Sequence, residues 1–243
     1  MKIGVHYQET YTAAPDTSTS RLVQIISLRR GWKRRSFDIR NAYLLASRDK
    51  CTKIPLIYPI GFKPAGENSL ALLQASLYGH PEAGRLWAKT RDEWILQFFQ
   101  KHKWKITQNK TDPTLFEFQS PTNQLYLMVV YVDDCDVHGP DDTEIDYIQQ
   151  AFHDRFGVDV GDPANMLGVK RMITENPDGT KTLELSMPKY IENLMDEFNE
   201  HMPTRDHSTP WHQDLLIGTK QRNYQPDAAE QREYKDKGYL SLC

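Results

Sequence analysis

Apolar positions follow two different periods along this chain. From residue 125 to residue 132 they run unbroken (LYLMVVYV) and stop on two adjacent carboxylates, Asp133 and Asp134. That length, with Val129, Val130 and Tyr131, predicts a buried strand and not a helix. A second short segment, residues 135–138, leads away to Gly139 and Pro140, so the acid pair is expected at a hairpin turn. Residues 115–118 are expected to pair with the same strand across a loop at 119–124. Asn176, Pro177, Asp178 and Gly179 mark another hairpin, between segments 166–175 and 181–186.

Elsewhere the period is helical. Leu22, Ile25 and Ile26 share one face of a helix predicted over 21–30, with Thr17, Ser18, Thr19 and Ser20 as N-cap choices and Gly31 as its stop. Ala83, Trp87, Trp94, Ile95 and Phe98 form the core stripe of a longer helix over 81–103, with Pro81 in its first turn. Ile145, Ile148, Phe152 and Phe156 predict a third helix ending at Gly157, and Asp141, Asp142 and Glu144 load its N-terminus in keeping with the dipole. Tyr190, Ile191, Leu194 and Phe198 predict a fourth over 188–201. Segment 53–58 reads as extended, 61–69 as a loop, and everything from Pro203 as a polar, aperiodic tail. Strands and helices in this order predict an α+β fold.

Composition narrows the function. With 39% hydrophobic residues, five Trp, twelve Tyr and nine Phe in 243 residues, the chain can bury a substantial core. A formal net charge of −3 gives no global basic field, so nucleic-acid binding must rest on local patches. Arg29, Arg30, Lys33, Arg34 and Arg35 around Trp32 are such a patch, read either as a phosphate-backbone contact or as a solvated basic turn. Cys51, Cys135 and Cys243 are too dispersed for a disulfide framework or a zinc site, which suits a reducing, intracellular compartment. No apolar run approaches the roughly 20 residues that span a bilayer, so no membrane partner is expected.

The Asp133–Asp134 pair has two readings: a solvated turn built from good turn residues, or a cation site. Adjacent carboxylates repel, and a hard divalent cation with oxygen ligands relieves that repulsion. A third carboxylate, Asp38, lies in the strand-like stretch SFDIRNAY and favours the cation.

These residues carry a resemblance. YVDD after an apolar strand, with F-D-I-x-x-A-Y upstream, looks like the palm of a reverse transcriptase. YQETYTAAPDTSTSR from Tyr7, SLYGHPEAGRLW from Ser76, TDPTLFEF from Thr111 and MLGVKR from Met166 narrow it to the copia-type (Pseudoviridae) LTR-retrotransposon enzyme. The resemblance implies a palm with partial fingers over 1–202 and the start of a connection region over 203–243. It implies an RNA-directed DNA polymerase that extends a primer on an RNA or DNA template with deoxynucleoside triphosphates. A non-catalytic remnant that keeps nucleic-acid or metal binding is the alternative. Asp38, Asp133 and Asp134 would be the catalytic carboxylates holding two Mg2+ ions, for which Mn2+ substitutes. Asp38 and Asp133 would bridge them.

By the same resemblance Tyr43 is the steric gate under the incoming sugar, its other reading being an ordinary half-buried aromatic. Ile39, Glu82 and Arg85 join it at the nucleotide. Glu82 stands where the family carries Gln, and Asp136 where it carries an aliphatic residue. RNase H, integrase and protease regions are expected only in the parent polyprotein. The implied location is cytoplasmic, in the parent element's virus-like particle, or nuclear.

Overall fold

The computed structural model describes residues 9–46, 54–58, 61–62, 70–162, 164–166 and 168–198. Lys53, most of the 61–69 loop, Leu167, the end of the fourth predicted helix and the tail from Pro203 lie outside the described residues. The chain divides into two compact units, Met1–Glu192 and Asn193–Cys243. The first holds both sheets and every site residue described below.

In chain order the elements are α1 (Thr17–Arg30), β1 (Lys33–Ile39), a 3-10 turn (Ala42–Leu45), β2 (Pro55–Leu56), β3 (Ala71–Leu72), α2 (Ala83–Lys101), β4 (Lys105–Gln108), β5 (Leu115–Gln119), β6 (Leu125–Tyr131), β7 (Asp134–Gly139), α3 (Asp142–Phe156), β8 (Val158–Val160), β9 (Asn165–Met166), β10 (Val169–Glu175), β11 (Lys181–Ser186) and α4 (Pro188–Glu197). Six strands make one antiparallel sheet in the order β4-β5-β6-β7-β1-β8, and β11-β10-β9 make a second. The α+β expectation holds.

Strand alternation sorts the large sheet into two faces. Phe37 and Ile39 of β1, Tyr126, Met128 and Val130 of β6, and Cys135 and Val137 of β7 point into the main core. There they meet Leu86, Trp87, Ile95 and Phe99 of α2 and Ile145, Ile148, Phe152 and Phe156 of α3. Leu127 and Val129 point the other way, onto Val23 of α1. The sheet is therefore covered on both sides, which is why β6 is apolar at nearly every position.

Helix α1 departs from expectation. Its cap is Asp16, whose carboxylate accepts from the Ser18 N–H at 2.6 Å, so the helix begins before the predicted Arg21. Leu22 and Ile25 face solvent, while Val23, Gln24 and Ser27 are buried. Gly31 closes it in the left-handed conformation at φ 62°. Helix α3 follows the expected dipole logic, with the Asp141 carboxylate accepting from the Glu144 N–H at 3.0 Å. Glu144 also accepts from the Tyr126 hydroxyl, tying α3 to β6.

Candidate active site

The acid pair sits where the hairpin pattern requires. Tyr131 pairs with Asp134, which leaves Val132 and Asp133 as a two-residue turn between β6 and β7. On the other side of β7, Asp38 is directly opposite Asp134. One carboxylate oxygen from each of Asp38, Asp133 and Asp134 lies within 4.8 Å of the other two, and all three residues are half-buried. Across Asp38 on its outer side stands Asp159 of β8, which the sequence reading did not single out. Its carboxylate takes the Arg40 Nε–H at 2.8 Å. One cross-strand row thus carries Tyr131, Asp134, Asp38 and Asp159 on a single face.

The electrostatics follow from that crowding. Burial, together with Asp133, Asp38 and Asp136 nearby, pushes the Asp134 carboxyl up to about 6. Asp38 is raised by burial, Asp133 and Asp159. Hard oxygen donors that destabilise one another's ionised form fit a divalent cation, which reverses the repulsion. The donor set therefore fits Mg2+ or Mn2+.

The turn itself is strained. Val132 adopts φ 54°, a left-handed conformation that costs an L residue roughly 1–2 kcal/mol and suits a β-branched side chain least. Its carbonyl accepts from the Trp87 indole N–H at 2.6 Å and from Arg91 Nη1 at 3.0 Å. The Asp133 carbonyl accepts from the Ile39 N–H at 3.0 Å. Both carbonyls of the turn are thus committed.

Tyr43 lies beside the acids. Burial, with Asp133, Tyr78 and Tyr131 nearby, raises its phenol, and its ring packs against Tyr78 at 4.8 Å between centroids. Ile39 is placed differently from a nucleotide contact through its side chain, which is fully buried in the main core. Only its backbone N–H reaches the site. Glu82, 4% exposed, precedes the first residue of α2 without a side-chain capping bond to it, and its carboxylate lies 3.4 Å from Arg85 Nη2. Arg85 Nε–H also donates to the Glu9 carbonyl at 2.9 Å.

The basic run does not form one patch, because β1 alternates. Arg35 turns to α3 and pairs with Asp142 at 3.1 Å and Asp146 at 3.3 Å. Arg34 turns to the opposite face, toward Asp136. Arg29, Arg30 and Lys33 remain exposed, with the Arg30 guanidinium 5.0 Å over the Trp32 ring.

Asp136, one row along from the acids, is nine-tenths buried or more and fully partnered. It accepts from Ser36 Oγ at 3.0 Å and Arg171 Nη1 at 2.8 Å, and sits 2.9 Å from His138 Nε2. Burial alone would raise its carboxyl, but His138, Arg171 and Arg34 bring it down to about 2. Arg171 belongs to β10, so this group fastens the second sheet to the first.

The profile of the family described as reverse transcriptase (RNA-dependent DNA polymerase) matches residues 2–210. Among curated proteins, the chain is 25% identical over 200 residues to the retrovirus-related Pol polyprotein from transposon TNT 1-94 of Nicotiana tabacum. That alignment covers 82% of this chain and 14% of the relative. It is 27% identical over 198 residues to the corresponding polyprotein from transposon RE1 of Arabidopsis thaliana, covering 81% of this chain and 13% of the relative. The chain thus spans about one seventh of the curated relatives it matches. The hairpin acids, the opposed Asp38 and a match over most of the length agree, and the chain belongs to the reverse transcriptase family, with distant homology to copia-type Pol polyproteins.

Proposed function

We propose that this chain is the palm of an RNA-directed DNA polymerase, adding deoxynucleotides to a primer 3′-hydroxyl under the direction of a template. The observation that carries this reading is the convergence of Asp38, Asp133 and Asp134 within 4.8 Å, on the paired strands β1 and β7 and the turn that leads from β6 into β7. These carboxylates would hold Mg2+. When bound, such ions supply acidification of the attacking hydroxyl and charge neutralisation on the triphosphate.

The chain's own residues do the rest. Asp38 and Asp134 face each other from rigid strands, and the Asp133 backbone is pinned to β1, so the three ligands hold their spacing before substrate arrives. Tyr43 stands beside Asp133 as a wall under the incoming sugar, where an aromatic ring excludes a ribose 2′-hydroxyl. Arg29, Arg30 and Lys33 offer charge to a phosphate backbone, which needs no base specificity. Arg85 and Glu82 are assigned to the neighbourhood of the nucleotide as one ion-paired unit. The template is RNA or DNA, read by base pairing. RNase H, integrase and protease functions belong to the parent polyprotein.

The test is primer extension on an RNA template with Mg2+, parent chain against Asp133→Asn. Incorporation of the complementary nucleotide by the parent and its loss in the variant are expected. Extension that survives in Asp133→Asn overturns the assignment. Template binding without extension by a folded parent would leave the non-catalytic remnant.

A further inference from the structure

We infer that Trp87 and Arg91 are positioning residues that hold the Val132–Asp133 turn in its left-handed conformation and so aim the acidic ligands at one point. The inference rests on the proposed cation site and goes further, assigning a role to two side chains of α2 that touch none of the carboxylates.

The geometry is specific. Trp87 and Arg91 are one helical turn apart on α2, so both reach the same atom, the Val132 carbonyl oxygen. Trp87 is fully buried and Arg91 is 4% exposed. The guanidinium is itself fixed: Asp92 accepts from Arg91 Nε at 2.8 Å, and Arg91 Nη2 lies 2.7 Å from the same carboxylate. The other oxygen of Asp92 accepts from Gln108 of β4 at 2.9 Å. A run of partners thus leads from the sheet's edge strand through α2 to the back of the turn.

A relaxed turn at this place would carry Gly or Asn at the left-handed position. Val132 does not adopt that conformation cheaply, so the turn needs an external restraint. Two donors on one carbonyl supply it. Releasing them lets the Val132–Asp133 peptide rotate, and rotation there moves the Asp133 and Asp134 carboxylates relative to Asp38. Packing of the Trp87 ring against Phe156, at 5.2 Å between centroids, is a separate role that a phenyl ring keeps in part.

The experiment is Mn2+ affinity of the full chain by electron paramagnetic resonance, with melting temperature recorded for every variant. Parent, Asp133→Asn, Trp87→Phe, Arg91→Lys and Val132→Gly are compared, with Trp87→Phe/Val132→Gly as the rescue. Trp87→Phe removes the indole donor, and its Mn2+ affinity is expected to fall by about ten- to a hundredfold, as when a residue orienting a metal ligand is lost. Arg91→Lys is expected to weaken Mn2+ in the same direction and carries the comparison should Trp87→Phe not fold. Val132→Gly adopts the turn without strain, so the double variant is expected to regain affinity while its melting temperature stays low.

Equal Mn2+ affinity in parent and Trp87→Phe overturns the positioning role. So does a loss that Val132→Gly leaves unrepaired, since that is the signature of packing alone. Failure of the parent to bind Mn2+, or binding that Asp133→Asn leaves intact, removes the cation site and this inference with it.

Discussion

Asp38 and Asp134 are Cα partners across the β1–β7 ladder, so their carboxylates share one face of the sheet at the closest cross-strand spacing. Burial first, then the neighbouring Asp133 and Asp38 charges, disfavour the ionised form of Asp134 and push its carboxyl up to about 6. Because this value lies above the ordinary 3.8, the folded chain binds a proton the unfolded chain has released. The stability this group contributes is full below 3.8 and is lost as pH rises through about 6.

Metal-free protein should therefore show a fall in melting temperature across that window, and Asp134→Asn should lack this component. Adding Mg2+ above the window should raise the melting temperature of the parent and leave the variant nearly unmoved. Thermal scans across pH, with and without Mg2+, read both. A parent whose melting temperature ignores Mg2+ contradicts the account.

The Asp136 group runs on the opposite sign. Its carboxyl lies at about 2, below the ordinary 3.8, so its contribution is present above 3.8 and lost as pH falls through about 2. Asp136→Asn leaves Arg171 and His138 buried beside a neutral amide. Removing one partner from a buried ion group costs about 3–5 kcal/mol. Urea unfolding at neutral pH is expected to show a loss of that order, with the gap narrowing in acid. A loss under about 1 kcal/mol would place the group on a surface salt bridge's scale.

Tyr43→Ala is expected to relax discrimination against ribonucleotides in any extension the chain performs, since the wall beside Asp133 is removed. The ratio of incorporation for matched deoxy- and ribonucleotides measures it. Unchanged discrimination would return Tyr43 to an ordinary packing role with Tyr78.

The central hairpin was legible because its residues state two local rules at once. An apolar run of strand length ends on turn residues, and the segment after it resumes the pleat. The opposition of Asp38 and Asp134 depended on register between strands almost a hundred residues apart, which only the resemblance supplied. Asp136 was legible merely as a charge out of place. Its partners are Ser36 on β1, His138 on its own strand and Arg171 on a distant hairpin, a convergence no local pattern encodes.

Asp159 escaped because Val158–Val160 is too short to show alternation. Lys105–Gln108 escaped likewise, a short edge strand with only one aliphatic residue. The face of α1 that apolar spacing predicts is not the buried one, because tertiary packing buries Gln24 and Ser27 and leaves Leu22 and Ile25 outside. The tether on Val132 was hidden altogether: Trp87 reads as core from its spacing, and its N–H finds a partner 45 residues away.

The central claim is that Asp38, Asp133 and Asp134 form one divalent-cation site. It is tested most directly by letting the ion mark its own ligands. Fe2+ replaces Mg2+ at sites of hard oxygen ligands, and with ascorbate and peroxide it cleaves the backbone nearest to it. Cleavage of the full chain is expected at two places, around Asp38 and around Val132–Asp134, with both cuts suppressed by excess Mg2+ and absent in Asp133→Asn/Asp134→Asn. Cleavage elsewhere, or the same two cuts in the double variant, would contradict the account.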